Sequence, residues 1–420
     1  MTESTPPPSA PTPETSALDS LNGLSVGDAF GAQFFVPENR EHLISRQAPP
    51  GVWPWTDDTE MACSVHAAWA ERQTIDTFDL THAFARRHDF DRGYGPAANR
   101  MLRLIREGGD AKRLAADLFD GQGSYGNGAA MRVAPLGAAH AHDPAAVVGP
   151  AADTAAITHT HPDAVDGAIA VAVAAAYAVR ARTEPTTPPE FLAAVRDLTP
   201  RGAVRDGVER AIGLLGEPNA HRPAYELGNG SRVSAVDTVP FTLWAAARHP
   251  DDYRAALWET VRAGGDVDTT AAIVGGIVAA RTGTAGIPPA WLAAREPLPD
   301  WATPERLAVA DFRRYRPELQ PIRLPRPVAV PDLVWPEQKW ALLRRGLRPN
   351  RTNHRWVTGI VEGVMYLHEA GTGYGNFEVV VEPVPRTGGW RPVSAVAEAR
   401  PDRFGHPEPA VLLAEVLGMF

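Results

Sequence analysis

The chain is 420 residues long, with 44% hydrophobic and 22% charged side chains, enough for two or three domains with ample cores, so wholesale disorder and fibrous architectures are excluded. A formal net charge of −9 argues against a broad basic footprint for nucleic acid or an anionic membrane. Cys63 is the single cysteine, which excludes an internal disulfide and a cysteine-based zinc site.

Residues 1–17, with Pro6-Pro7-Pro8, Pro11 and Pro13, read as a disordered leader, because prolines and small polar residues offer nothing to bury. The stretch Met1 to Thr15 lacks the charged and apolar regions of a signal peptide, so a soluble cytoplasmic protein is the expectation. From about Leu18 to Arg281, apolar residues recur at helical spacing between Gly/Pro clusters. Helices are predicted over 57–72, 78–88, 96–107, 163–182, 189–198, 203–215, 234–247, 253–263 and 269–281. Strand signals are nearly absent there, which predicts an all-α domain over 18–287. The Ala/Val-rich run 164–179 falls short of the roughly 20 residues a membrane span needs. Repeated prolines then predict a linker over 288–334. Beyond it, 355–368 and 377–384 are rich in Val, Tyr, Trp and Phe around a Gly371 to Gly375 turn, which predicts a small α+β module over 335–420.

Two acidic clusters each open a helix. Thr56-Asp57-Asp58-Thr59-Glu60 follows Trp53-Pro54-Trp55, and Gly264-Gly265-Asp266-Val267-Asp268-Thr269 opens a second, Ala/Gly-rich helix. Acids cap helix N-termini, so each cluster alone has a structural reading. Two clusters of one design suggest a further use. Four carboxylates gathered in a helical core repel one another and are costly to desolvate unless cations neutralise them. Carboxylate, hydroxyl and water are hard oxygen donors, which suit Mg²⁺ or Mn²⁺.

The motifs Gly27-Asp28-Ala29-Phe30-Gly31, Thr56-Asp57-Asp58-Thr59, Gly123-Ser124-Tyr125-Gly126-Asn127-Gly128-Ala129-Ala130-Met131-Arg132, His159-Thr160-His161-Pro162-Asp163 and Gly265-Asp266-Val267-Asp268-Thr269 stand in this order. In that order they resemble the ADP-ribosylglycohydrolases, over roughly residues 18–285. The resemblance implies a compact multi-helix fold, two Mg²⁺ or Mn²⁺ ions, and hydrolysis of a glycosidic bond between ADP-ribose and a modified acceptor. The substrate would be an ADP-ribosylated protein or small molecule, with nucleic acid entering only as a modified substrate. It assigns Thr56, Asp57, Asp58, Asp266, Asp268 and Thr269 to the metals, and Gly123, Ser124, Tyr125, Gly126, Asn127, Gly128 and His159 to the ADP-ribose cleft. Asp58 and Asp91 are its candidate catalytic carboxylates. Arg132 has two readings, one toward a pyrophosphate and one paired with an acid.

His159 and His161 also form an H-x-H pair, a common zinc arrangement, but Pro162-Asp163 starts a helix and the rest of a zinc ligand set is missing. Relatives often carry a glutamate shortly after the Gly-Asp-Ala-x-Gly segment. This chain has Phe34-Phe35 there, with Glu38 the nearest acid, so an alternative function is an ADP-ribose-binding protein that has lost its catalytic glutamate. Phe35 itself reads as a stacking surface for a base or as core filling.

Overall fold

The structure, a computed structural model, describes residues 11–303, 319–344, 346, 356–361, 363–369, 372–384 and 388–419. The chain divides into two compact units, Met1–Thr303 and Pro304–Phe420. The first is all-helical among its described residues and the second carries a five-stranded antiparallel sheet.

The first unit opens earlier than its sequence suggests. Helix α1 spans Pro13–Ala32. Thr12 caps it by accepting the Thr15 N–H (3.2 Å), and Pro13 sits at the first helical position, where its fixed φ and missing N–H cost nothing. Residues 13–17 therefore belong to a helix and not to a leader, and Ser16 and Ala17 are buried in the core. Residues 1–10 of the expected leader lie outside the described residues.

The helices that matter for the site follow in chain order. They are α2 (Asp57–Arg72), α3 (Pro162–Arg180), α4 (Ala235–Arg248), α5 (Tyr253–Arg262) and α6 (Val267–Thr282). Helix α3 is apolar enough and long enough to cross a membrane by composition, yet most of it is buried, packed against α4 and α6. The most extensive packing among the described helices joins α1 and α6. Gly23, Gly27 and Gly31 recur every four residues on one face of α1, and a Cβ at these positions would overlap the Gly275, Ala271 and Val267 carbonyl oxygens respectively. The end of α1 therefore lies at the start of α6, and the two helices run antiparallel with their backbones in contact. Beside this junction, Phe30 stacks on Trp291 (ring centroids 4.3 Å apart) and meets Trp53, Trp258 and Phe34 edge-on or tilted.

The expected linker over 288–334 is not one element. Residues 288–303 close the first unit: Trp291 is buried, Trp53 donates its N–H to the Ala294 carbonyl (2.7 Å), and Glu296 holds Arg92 through two bonds of 2.8 Å each. Pro325–Val328 instead forms strand β1 of the second unit. Prolines 325 and 327 are tolerated because β1 is an edge strand, where an N–H facing away from the neighbour has no ladder partner to lose. The sheet order is β1-β5-β4-β3-β2, with β2 at Trp356–Val361, β3 at Val364–Glu369, β4 at Gly375–Pro383 and β5 at Trp390–Glu398. Helix α7 (Glu337–Leu343) contributes Trp340, which stacks between Trp335 and Trp390, and α8 (Pro409–Met419) supplies Leu413, Val416 and Leu417 to the same core.

The α1–α6 contact gives a stability test. Gly27→Ala is expected to cost about 1–3 kcal/mol, because its methyl group meets a backbone oxygen that moves only with its helix. Gly149→Ala, a helical site with open space around it, is expected to gain up to about 1 kcal/mol. Urea denaturation of both variants checks the pair, and equal effects would contradict the packing described.

Candidate active site

The first acidic cluster is set by its cap and by a carboxylate from another helix. Thr56 is the N-cap of α2, and Asp57, Asp58 and Glu60 fill its first turn, where unpaired helix N–H groups favour negative charge. Asp28 of α1 anchors this turn from outside. It is fully buried and accepts four bonds, from the Thr56 N–H (2.9 Å) and hydroxyl (2.8 Å) and from the Thr59 N–H (3.1 Å) and hydroxyl (2.5 Å). The sequence reading gave Asp28 no role, although an acid amid small residues of an apolar helix is a signal that it has a buried partner.

The second cluster depends on a glycine turn. Gly264 and Gly265 have φ of +69° and +81°, in the left-handed region, and a Cβ on Gly265 would overlap Asn229. Asp266 then donates its N–H to the Asn229 carbonyl (3.2 Å) and stands at the N-terminal boundary of α6 without its side chain capping the helix. One bond joins the two clusters: the Thr269 hydroxyl donates to Asp58 Oδ2 (3.4 Å).

A cleft of about 390 Å³ opens here. Its walls include Asp57, Asp58, Asp266, Asp268 and Thr269, with Ser124 to Gly128 and His159 facing them. Thr56 and Gly123 stand behind this wall. The Thr56 hydroxyl lies between Asp28 and Asp58, and Gly123 is pressed against Thr160 at φ +76°. Asn127 ties the loop to the acids, donating to Asp266 Oδ2 (2.8 Å) and Thr238 Oγ1 (3.1 Å). Tyr125 is exposed at the rim, its ring 5.1 Å from that of Phe119, a partner that the sequence reading missed.

Desolvation dominates the acids' electrostatics. Burial pushes Asp58 and Asp268 well above the usual carboxylate range, with Asp268 repelling Asp58 and Asp266 repelling Asp268. Burial, then repulsion from Asp28, pushes Asp57 up to about 7. Asp58 Oδ1 is buried with no hydrogen-bond partner. An oxygen-only donor set with an orphaned carboxylate oxygen and mutually repelling acids fits a hard divalent cation. Among the described residues no three His, Cys, Asp or Glu side chains form a ready cage. Hydroxyl and water oxygens would have to complete the shell, as they usually do for Mg²⁺.

Several expected site residues lie elsewhere. Asp91 is exposed on a short turn outside the cleft wall, its N–H bonded to Asp89 Oδ1 (3.1 Å); the residues of that segment that reach the cleft are Gly93, Tyr94 and Gly95. Tyr94 is fixed by donating its hydroxyl proton to Glu60 Oε2 (2.6 Å). Arg132 borders the cleft and makes no ion pair with an acid among the described residues. It is buried over the Phe84 ring, donating to the Thr154 carbonyl (2.9 Å) and Thr158 Oγ1 (2.8 Å). His161 caps α3 through the Asp163 N–H (3.2 Å), so zinc at the histidine pair finds no third ligand among the described residues. Phe34 packs on Phe30 and Trp258, whereas Phe35 is 54% exposed and fills no core. A wider concavity of about 580 Å³ lies by Arg248, Trp258 and Glu259, but Glu259 is already engaged by Arg248 and His249, and none of the acidic clusters reaches it.

A family model described as ADP-ribosylglycohydrolase matches residues 9–318. The chain belongs to the ADP-ribosylglycohydrolase family. ADP-ribosylhydrolase ARH3 of Xenopus tropicalis is 28% identical over 325 residues, covering 67% of this chain and 91% of that protein. The ADP-ribosyl-dinitrogen reductase glycohydrolase of Rhodospirillum rubrum is 28% identical over 291 residues, covering 66% and 88%. The ADP-ribosylarginine hydrolase Tri1 of Pseudomonas putida is 28% identical over 302 residues, covering 67% and 75%. The ADP-ribosylglycohydrolase match ends before β1, so the sheet of the second unit is additional to it.

The raised carboxyl groups predict a pH dependence. A carboxyl whose folded pKa lies above its unfolded value binds more protons when folded, so it costs stability progressively as pH rises from the unfolded value toward the folded one. In chelator, Asp58→Asn is therefore expected to gain on the wild type progressively as pH rises above the ordinary carboxylate range. Melting curves over that rise in pH check this, and a constant difference between the two proteins would contradict it.

Proposed function

We propose that this protein hydrolyses the glycosidic bond between ADP-ribose and a modified acceptor, a protein side chain or a small molecule, with the help of two Mg²⁺ or Mn²⁺ ions. The observation that carries the reading is the Thr269–Asp58 bond, which joins the two acidic helix starts across from the glycine-rich loop. Thr56, Asp57, Asp58, Asp266, Asp268 and Thr269 would hold the ions. When bound, such ions neutralise the carboxylates, hold the ribose hydroxyls and stabilise charge near the anomeric carbon.

The chain's own residues do the rest. Phe119 and Tyr125 offer an aromatic face to a flat base at the cleft rim. The backbone around Gly126 and Gly128 approaches a phosphate or ribose oxygen with no side chain in the way. Asn127 keeps Asp266 at a fixed distance from that loop. Asp58, with one oxygen unpartnered, accepts the proton as water oxygen bonds to the anomeric carbon and the acceptor departs with the electrons of the broken bond.

The alternative, an ADP-ribose-binding protein with little turnover, draws on Phe35, which stands exposed where the family resemblance leads one to expect a glutamate. A panel of ADP-ribosylated substrates assayed with Mg²⁺, with Mn²⁺ and with chelator separates the two. Hydrolysis is expected with metal only. Asp58→Asn should lower it by on the order of 10²-fold or more, while Asp91→Asn, outside the cleft, should leave it within about twofold. Tight ADP-ribose binding without turnover, together with a gain in rate for Phe35→Glu, would favour the binder. Absence of both binding and turnover would overturn the reading.

A further inference from the structure

Arg132, Thr158 and His159 form a chain of hydrogen bonds from the core to the cleft wall. The Arg132 guanidinium is held by the Phe84 ring beneath it, 4.6 Å from its centroid, and by contact of Nη1 with Met61 Sδ (3.2 Å). Its Nη2 donates to Thr158 Oγ1 at 2.8 Å. A guanidinium has only donors, so at this contact the Thr158 oxygen is an acceptor. The Thr158 hydroxyl proton then has one neighbour left among the described residues, His159 Nδ1 at 2.7 Å. Thr158 is 2% exposed, so water does not compete for that proton.

We propose that Arg132 and Thr158 are positioning residues that fix His159 in a single tautomer, Nδ1 unprotonated and Nε2 protonated, so that the imidazole presents one N–H to an oxygen of the bound ligand. The opposite tautomer would put a second proton into the Thr158–His159 contact and strand the buried hydroxyl proton without an acceptor. The far side of the ring faces the glycine-rich loop. Nε2 lies 3.0 Å from where a Cβ on Gly128 would stand and 3.3 Å from one on Gly126, and His159 is part of the cleft wall. Burial, with the Arg132 charge adding to it, pushes the imidazole down to about 3, so the ring stays neutral while presenting its donor. The group it meets is therefore an acceptor such as a phosphate, ribose hydroxyl or ring oxygen. The relay also links the cleft's two walls, because Met61 lies on α2 just beyond Asp58, whereas His159 backs the glycine-rich loop.

The ligand half of this inference rests on the ADP-ribose reading above; the tautomer half does not. Nitrogen-15 NMR of histidine-labelled protein reads the tautomer directly. The wild type is expected to show His159 with an unprotonated Nδ1 and a protonated Nε2, unchanged between pH 6 and 8. Thr158→Val is expected to lose the single tautomer and to weaken ADP-ribose binding, measured by calorimetry with Mg²⁺, at least tenfold, and Thr158→Ser to restore both. A protonated Nδ1 or a mixture of tautomers in the wild type would overturn the proposal, as would a folded Thr158→Val protein with unchanged tautomer and affinity. If the wild type binds no ADP-ribose while His159 shows the expected tautomer, the relay stands and the ADP-ribose reading falls.

Discussion

Backbone contact between α1 and α6 is the constraint on which the site depends. Glycines at positions 23, 27 and 31 let the end of α1 lie directly against the start of α6, closer than any side chain would permit. Each glycine in a helix interior disfavours the helix by about 1 kcal/mol relative to alanine, and the dense packing along α1 offsets this. The positional result is specific. Asp28 sits one residue beyond Gly27, about 100° round the helix, so docking one face of α1 on α6 turns the adjacent face, with its buried carboxylate, to the first turn of α2. Four bonds from Thr56 and Thr59 then fix that turn beside Thr269 of α6. Residues far apart in sequence thus meet within hydrogen-bonding distance, the precision that positioning a reactive group requires.

That arrangement is electrostatically unfavourable by itself. Asp57, Asp58 and Asp268 are all raised above the ordinary carboxylate range, and Asp28 adds to the repulsion despite its own four donors. Protonation relieves such crowding, and a bound multivalent cation would relieve it further. Around this charged floor the other wall residues are held by bonds of their own. Asn127 braces Asp266, Tyr94 is fixed to Glu60, and His159 stays neutral beside the buried charge of Arg132.

The legible parts of the sequence were those where one local rule decides. Helix α2 begins and ends where its cap and apolar spacing place it, because Thr56 and the acids behind it act within a few residues. The two acidic clusters and the glycine-rich loop were likewise visible as motifs. Helix α1 was not, since its small residues are buried on every side and leave no amphipathic stripe to detect, and a proline-rich start hid the Thr12 cap. Strand β1 was hidden by prolines that only an edge position tolerates. The orientation of Asp91 has no mark in the sequence, because a turn of few residues turns its glycines and tyrosine inward and its acid outward, a choice made by the Tyr94–Glu60 and Arg92–Glu296 bonds to distant parts of the chain. Arg132 carried no sequence mark of burial, because its partners, the Phe84 ring and the Thr158 hydroxyl, come from other elements.

On the function proposed above, α1–α6 packing gathers carboxyl groups with a raised hold on their protons into a site that would take a divalent cation. Calorimetric titration of metal-free protein with Mn²⁺ at pH 7, repeated in two buffers of different ionisation enthalpy, counts the protons released per ion bound. The account predicts saturable uptake with net proton release, and loss of both in Asp268→Asn. Uptake without proton release, or no uptake at all, would contradict it.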